Sequence, residues 1–490
     1  MDAELKRDIR WKIADWFDGH RGAMLRDLEA LINMRSVARQ AENGAPYGRV
    51  CRDTLEKARG ILETHGFKSE VYKDCLAIAD LAGKDGGEPE LGILAHTDVV
   101  DATDDGWLSP PYEMEIRGGN IYGRGATDNK GPAVASIYAL ACAKDVAKAL
   151  GIEFKKTARL FLGSAEEIGC LDVRAYAAEN PMPKYTFSPD SNYPVVNVEK
   201  GRFELDFSAQ LPDTAADGAV FLAELSGGKT TNIVPNFARA VLKNADASAI
   251  DAAIAKFKAA FSDEQGACVF AVSSVGADTE LTATGVAAHA SNPQLGVNAQ
   301  TALVWVLARL LGGGTARGRA ITALAELFPH GDFTGGTFGI AAADEVSGKL
   351  TLSFNCTELS GDTLTANLDS RTVKLSDDRD LVAAVTEKLN ARGFTVTNAT
   401  RTGCHVVDES SPFVQTLLSV YEAYTGHTGY CRALGGTTYV HDLPGGVAFG
   451  CEMPGDDHQI HGINEFMPIA NLITSAKMFT QVIFEICGVE

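Results

Sequence analysis

Histidine, aspartate and glutamate recur in this chain at the ends of apolar runs. The stretch "LGILAHTDVVDA", residues 91–102, reads as a buried strand that finishes on His96, Thr97 and Asp98. Side chains alternate along a strand, so His96 and Asp98 point the same way from its carboxyl end. That end is where open α/β sheets build their sites. Four further segments repeat the pattern. "GRGATDNKGP" places Asp128 in a glycine-rich turn before a helix, "LFLGSAEEIG" ends on Glu166 and Glu167, "YTFSPDSNYP" ends on Asp190, and "GCEMPGDDHQIHGINEF" offers His458 and His461. One such ending is ordinary strand capping. Five on one sheet crowd carboxylates that repel each other unless cations sit between them. Two histidines, two terminal carboxylates and one shared carboxylate suit a pair of zinc-like ions. Such ions lie about 3.5–4 Å apart and share one bridging hydroxide. Glu166 and Glu167, as neighbours on an extended chain, face different ways, so one can bind metal while the other handles a proton.

The elements that must position these residues follow from periodicity. The segment up to about Val37 and "CRDTLEKARGILETHGF" carry apolar residues at helical spacing. Short β-like runs follow ("SEVYKD", "LAIADL", "ELGILAHTDVV", "TARLFLGSAEE", "KYTFSPD"), with the amphipathic "GPAVASIYALACAKDVAKAL" between them. Strand, helix, strand in this order predicts an α/β domain with a mainly parallel, helix-covered sheet. From about Lys200 the texture changes to alternating strands and helices, which predicts an inserted α+β domain. "PFVQTLLSVYEAYTG" and "GGVAFGC" then return to the first sheet. The expected organisation is a discontinuous catalytic domain, residues 1–199 and 406–490, with an inserted lid at 200–405.

At 490 residues the chain exceeds one ordinary core. Its net charge of -20 argues against a nucleic-acid backbone or an anionic membrane as partner. The charged N-terminus "MDAELKRDIRWKIADWFDGH" has no signal-peptide core, and a cytoplasmic protein is expected. Ten cysteines without a C-x-x-C pair indicate neither a zinc ribbon nor a disulfide framework. Competing motifs fail on single residues. "SGGKTTN" has Ala223 where a P-loop needs its first glycine. "DATDDGWLSPPY" has Tyr112 where a calcium loop needs glutamate. "GRGATD" has Asp128 where a dinucleotide fingerprint needs its third glycine.

Taken together, "AHTDVVDA", "YGRGATDNKGP", "GSAEEIGC", "FSPDSNYPVVNVEKG", "TGVAAHAS" and "PGDDHQIHGINEF" resemble the M20 family of dinuclear metallopeptidases. The "SPDSNYPVVNVEKG" stretch and the large insert most resemble its PepV-type, Sapep-like dipeptidase branch. The resemblance implies that His96 and Asp190 bind one metal, Glu167 and His461 the other, and that Asp128 bridges them. It implies Glu166 as general base and acid, Asp98 as the carboxylate orienting His96, and His289 as the stabiliser of the tetrahedral oxyanion. Asn232 and Arg371 would hold the substrate's C-terminal carboxylate. The implied activity is hydrolysis of dipeptides with a free N-terminus by a metal-bridging hydroxide. Two divalent ions, zinc foremost with manganese or cobalt also suitable, would be the cofactors, and the enlarged lid implies a monomer. The alternatives are an N-acyl amino acid deacylase of the same family and a non-catalytic metal-containing binding protein. His405, His427 and His441 lie in no supporting string and are read as structural.

Overall fold

The computed structural model describes residues 3–39, 41–42, 44–212, 218–262 and 267–490. The chain divides into two compact units, the first comprising 1–198, 405–432 and 437–490, the second 199–404 and 433–436.

The first unit is built on a nine-stranded mixed sheet. Its order is Ser69–Tyr72, Leu76–Leu81, Ala158–Gly163, Leu91–His96, Tyr185–Ser188, Val447–Ala448, Val195–Glu199 and His405–Val406, with Cys431–Leu434 also pairing with Val195–Glu199. The centre is parallel: Leu91–His96 runs alongside both Ala158–Gly163 and Tyr185–Ser188, and the latter alongside Val447–Ala448. The pairs flanking this centre are antiparallel. A strand that is central and covered on both faces must be apolar throughout, and every residue of Leu91–His96 is buried. Leu91, Ile93 and Ala95 join a large core with the helices Ala3–Ile32, Arg49–Thr64, Lys130–Leu150, Pro412–Thr425 and Ile469–Cys487. Leu94 faces the other side, into a smaller cluster with Phe161, Val173, Tyr176 and Tyr439. By alternation, His96 and Asp98 leave the strand on Leu94's face.

The second unit is an eight-stranded antiparallel sheet in the order Val269–Val275, Asp278–Thr284, Phe237–Lys243, Phe221–Gly227, Thr351–Ser360, Thr363–Thr372, Gly201–Gln210, Thr395–Thr402. Gly201–Gln210 alternates in burial, with Phe203, Leu205 and Phe207 in a core shared with the helices Ala247–Ala260, Ala299–Leu311, Ala316–Leu327 and Leu381–Asn390. Each of these helices starts on a side-chain cap: Asp246, Asn298, Thr315 and Asp380 accept a backbone N–H one turn on. Among the described residues, no helix is long and apolar enough to cross a membrane.

Candidate metal centre

The first unit gathers His96, Asp98, Asp128, Glu166, Glu167, Asp190 and His461 at the carboxyl ends of its parallel strands. His96 ends one strand, fully buried, and its Nδ1 lies 3.0 Å from the backbone carbonyl of Asp98 and 3.4 Å from Asp98 Oδ1. A carbonyl can only accept, so Nδ1 carries the hydrogen and the lone pair of the neutral ring sits on Nε2. Among the described residues that Nε2 is buried without a hydrogen-bond partner, and it lies 3.1 Å from Asp128 Oδ1 and 3.4 Å from Asp190 Oδ2. His461 Nε2 lies 2.8 Å from the other oxygen of Asp128 and 3.3 Å from Glu167 Oε2. The two imidazoles thus address different oxygens of one carboxylate. Donor atoms of His96, Glu166 and Asp190, and of His96, Asp128 and Glu167, lie within 4.8 Å of one another in each set.

Three further residues hold the cluster in place. Asp128 sits in a tight turn in which a side chain on Gly131 would meet Ala126 O at 2.1 Å. Buried Glu465 clamps this turn, accepting the N–H groups of Gly125, Thr127 and Asp128 and pairing with Arg124 at 2.7 Å. Asn129 accepts the N–H of His96 and donates to Pro189 O and Asp190 Oδ1, tying three of the segments together. Asp98 accepts the N–H groups of Glu166 and Glu167, so the carboxylate beside His96 also orients both glutamates. Asp172 likewise takes the N–H groups of Ser164 and Ala165 and the hydroxyl of Tyr439. The sequence signals for Glu465 and Asp172 are weak, a carboxylate a few residues beyond a candidate ligand, and Asn129 and Tyr439 carry none. His461 has a left-handed backbone with φ +62° and a side chain 48 % exposed, so this candidate ligand faces the open side of the cluster. His458 is committed elsewhere: Nδ1 pairs with the Thr127 hydroxyl at 3.2 Å and Nε2 with Asp456 at 3.3 Å.

The electrostatics fit cations. Burial, reinforced by the charges of Asp190, Glu167 and Asp128, drives Glu166 well above the usual carboxylate range. Burial and Asp128 push Glu167 up to about 7 and also raise Asp190. Asp128 is buried too, but His461 and His96 outweigh that and hold it below its ordinary value. Burial is likewise overcome at His461, which Asp128 and Glu167 raise to about 11. Protons on the imidazoles and glutamates neutralise this cluster of like charges. Divalent cations do so better, through a donor set of imidazole and carboxylate that suits zinc, manganese or cobalt. Among the described residues, His96 Nε2 and Glu167 Oε1 have no hydrogen-bond partner and are free to serve as ligand atoms.

The remaining sequence candidates belong to the second unit. Ile233–Val234 pairs antiparallel with Ala288–His289, which puts Asn232 beside His289, and the N–H of Ala290 donates to Asn232 O. Asn232 and His289 are both exposed, and the His289 ring meets the Ser291 hydroxyl at 2.7 Å. Arg371 is buried, with Nε and Nη2 on Asp369 and Nη1 on Gly435 O.

Comparison with known proteins fits this geometry. The model of peptidase family M20/M25/M40 matches residues 92–485. The Beta-Ala-Xaa dipeptidase of Lactobacillus delbrueckii subsp. lactis is 33% identical over 482 residues, spanning 96% of this chain and 97% of that protein. Human carnosine dipeptidase 1 superposes with a TM-score of 0.59 at 14% identity over 98% of this chain and 99% of that one. The Saccharomyces cerevisiae dipeptidase Dug1p does so with 0.56 at 14% over 99% of each. These two show the fold. Because the family model matches residues 92–485, well over half of the chain, the chain belongs to peptidase family M20/M25/M40.

Proposed function

We propose that the protein is a dinuclear metal-dependent dipeptidase acting on dipeptides with a free N-terminus. The observation that carries this reading is Asp128, whose two oxygens each face the Nε2 of a different histidine. His96 and Asp190 would hold one ion and Glu167 and His461 the other, with the Asp128 carboxylate shared between them. When bound, such ions polarise the scissile carbonyl and acidify the attacking water. Glu166 takes the water's proton on its carboxylate and passes it to the leaving amine. Burial beside the neighbouring carboxylates raises its affinity for a proton, the direction a proton-accepting group requires. Asp98 keeps the His96 lone pair on Nε2. His289 is assigned to the developing oxyanion, and Asn232 and Arg371 to the C-terminal carboxylate. Arg371 retains N–H groups on Nη1 and Nη2 beyond those bonded to Asp369 and Gly435. The dipeptidase name of the Lactobacillus relative supports the substrate class. We assign the active form to a monomer of 52.0 kDa, and a light-scattering mass near twice that value would refute it.

The test is amine release by the metal-reconstituted protein from free dipeptides, tripeptides and N-acetyl amino acids, with Glu166→Ala alongside. Dipeptide cleavage cut to a small residual rate by the substitution while metal content holds supports the reading. Turnover of acylated amino acids alone would move the protein to the deacylases. Metals bound without turnover would make it a binding protein.

A further inference from the structure

We infer that Tyr439 and Asp172 act as positioning residues for Glu166, a relay that rests on the assignment of Glu166 as proton carrier. The chain leaves the strand Ala158–Gly163 and presents four successive backbone N–H groups, all of which end on carboxylates. Those of Ser164 and Ala165 reach Asp172 Oδ2 at 2.6 and 3.0 Å. Those of Glu166 and Glu167 reach Asp98 Oδ1 and Oδ2 at 3.3 and 3.1 Å. Asp98 is bound up with His96, but Asp172 touches no ligand and no reacting group. Its side chain is fully buried, and its Oδ2 takes a third donor, the Tyr439 hydroxyl, at 2.9 Å.

The phenol is built into the strand end. A Cβ on Gly163 would lie 1.8 Å from the Tyr439 oxygen and 2.5 Å from Asp172 Oδ2, so the hydroxyl fills the space that a side chain at 163 would need. The Tyr439 ring is 2 % exposed and stands edge-on to His96, with centroids 6.1 Å apart and planes at 86°. With the hydroxyl gone, the ring still packs, but Asp172 Oδ2 keeps only the two amides and can swing with them. Glu166 follows those amides directly in the chain, so its carboxylate moves when they do. A displacement of about 1 Å at a reacting group can cost about a hundredfold in rate.

The test is a double-mutant cycle on the metal-loaded full chain, with Tyr439→Phe, Glu166→Ala and their combination assayed on the dipeptide turned over fastest. Metal content is measured for each. Tyr439→Phe is expected to lower kcat about 10- to 100-fold, leave KM within about twofold and retain the wild-type metal content. In the Glu166→Ala background it should cost nothing further. Asp172→Asn should lower kcat in the same way and be non-additive with Tyr439→Phe. Equal losses in both backgrounds, a loss carried by KM or by metal content, or wild-type kcat in Tyr439→Phe would each overturn the relay. Wild-type kcat in Glu166→Ala would instead overturn the proton-carrier assignment, and the relay with it.

Discussion

Glu465→Gln offers a sharp test of how the metal centre is held. Four donors end on this buried carboxylate: Thr127 and Asp128 N–H on Oε1, Gly125 N–H and the Arg124 guanidinium on Oε2. Glutamine has the same shape but only one oxygen. Whichever way its amide is turned, two of the four donors face an NH2 group. Hydrogen bonds to a charged group contribute about 1.5–3 kcal/mol each, and breaking a buried ion pair costs about 3–5 kcal/mol. The two routes give losses of about 3–6 kcal/mol and about 3–5 kcal/mol, a hundredfold or more in the folding equilibrium. Because Glu465 shapes the turn that carries Asp128, metal affinity should also fall about 10- to 100-fold. Urea unfolding followed by circular dichroism in chelator, read on the transition that shifts when zinc is added, measures the first quantity. Competition with a chromophoric chelator measures the second. A stability change under about 1 kcal/mol with unchanged affinity would refute the clamp.

Three further outcomes are expected. His461→Ala should lose bound metal whereas His458→Ala should keep it and lose only stability, since both His458 nitrogens pair within the protein; metal analysis of the purified variants decides. Burial raises Glu452 to about 7, so the folded state holds its proton more tightly than the unfolded chain. The stability this provides is complete below about pH 4.5 and disappears as pH rises through about 7. In chelator, wild type should lose up to about 3 kcal/mol more than Glu452→Gln across that window, and parallel stability profiles would contradict the shift. Zinc at about 100 times its dissociation constant should stabilise the metal-free protein by about 2.7 kcal/mol per site, roughly 5–10 °C in Tm, and a Tm indifferent to zinc, manganese and cobalt would remove the basis for the metal centre.

The cluster was legible because its members sit at strand ends and turns, where residue type and alternation say most. His96 and Asp98 on one face, Asp128 before a helix, and the Glu166–Glu167 pair need no knowledge of distant contacts. Asn129, Asp172, Tyr439 and Glu465 act across long separations, Tyr439 on Asp172 and Glu465 on the turn at 125–128, and periodicity is blind to such pairings. Strand direction is equally invisible locally, so the antiparallel flanks of the first sheet emerge only from pairing. The resemblance already points to His461 rather than His458; what it could not show is that His458 pairs with the Thr127 hydroxyl, more than 300 residues earlier.

The strand end at Gly163 also constrains how this sequence can drift. Gly163, Asp172 and Tyr439 occupy one volume, so a substitution at any of them alters the cost of substitutions at the other two. A methyl group at 163 demands a smaller residue at 439, which strands the carboxylate at 172 and releases the amides before Glu166. The three positions therefore form an epistatic unit that can be exchanged only together, and a lineage that changed one while keeping peptidase activity should show compensation at the others.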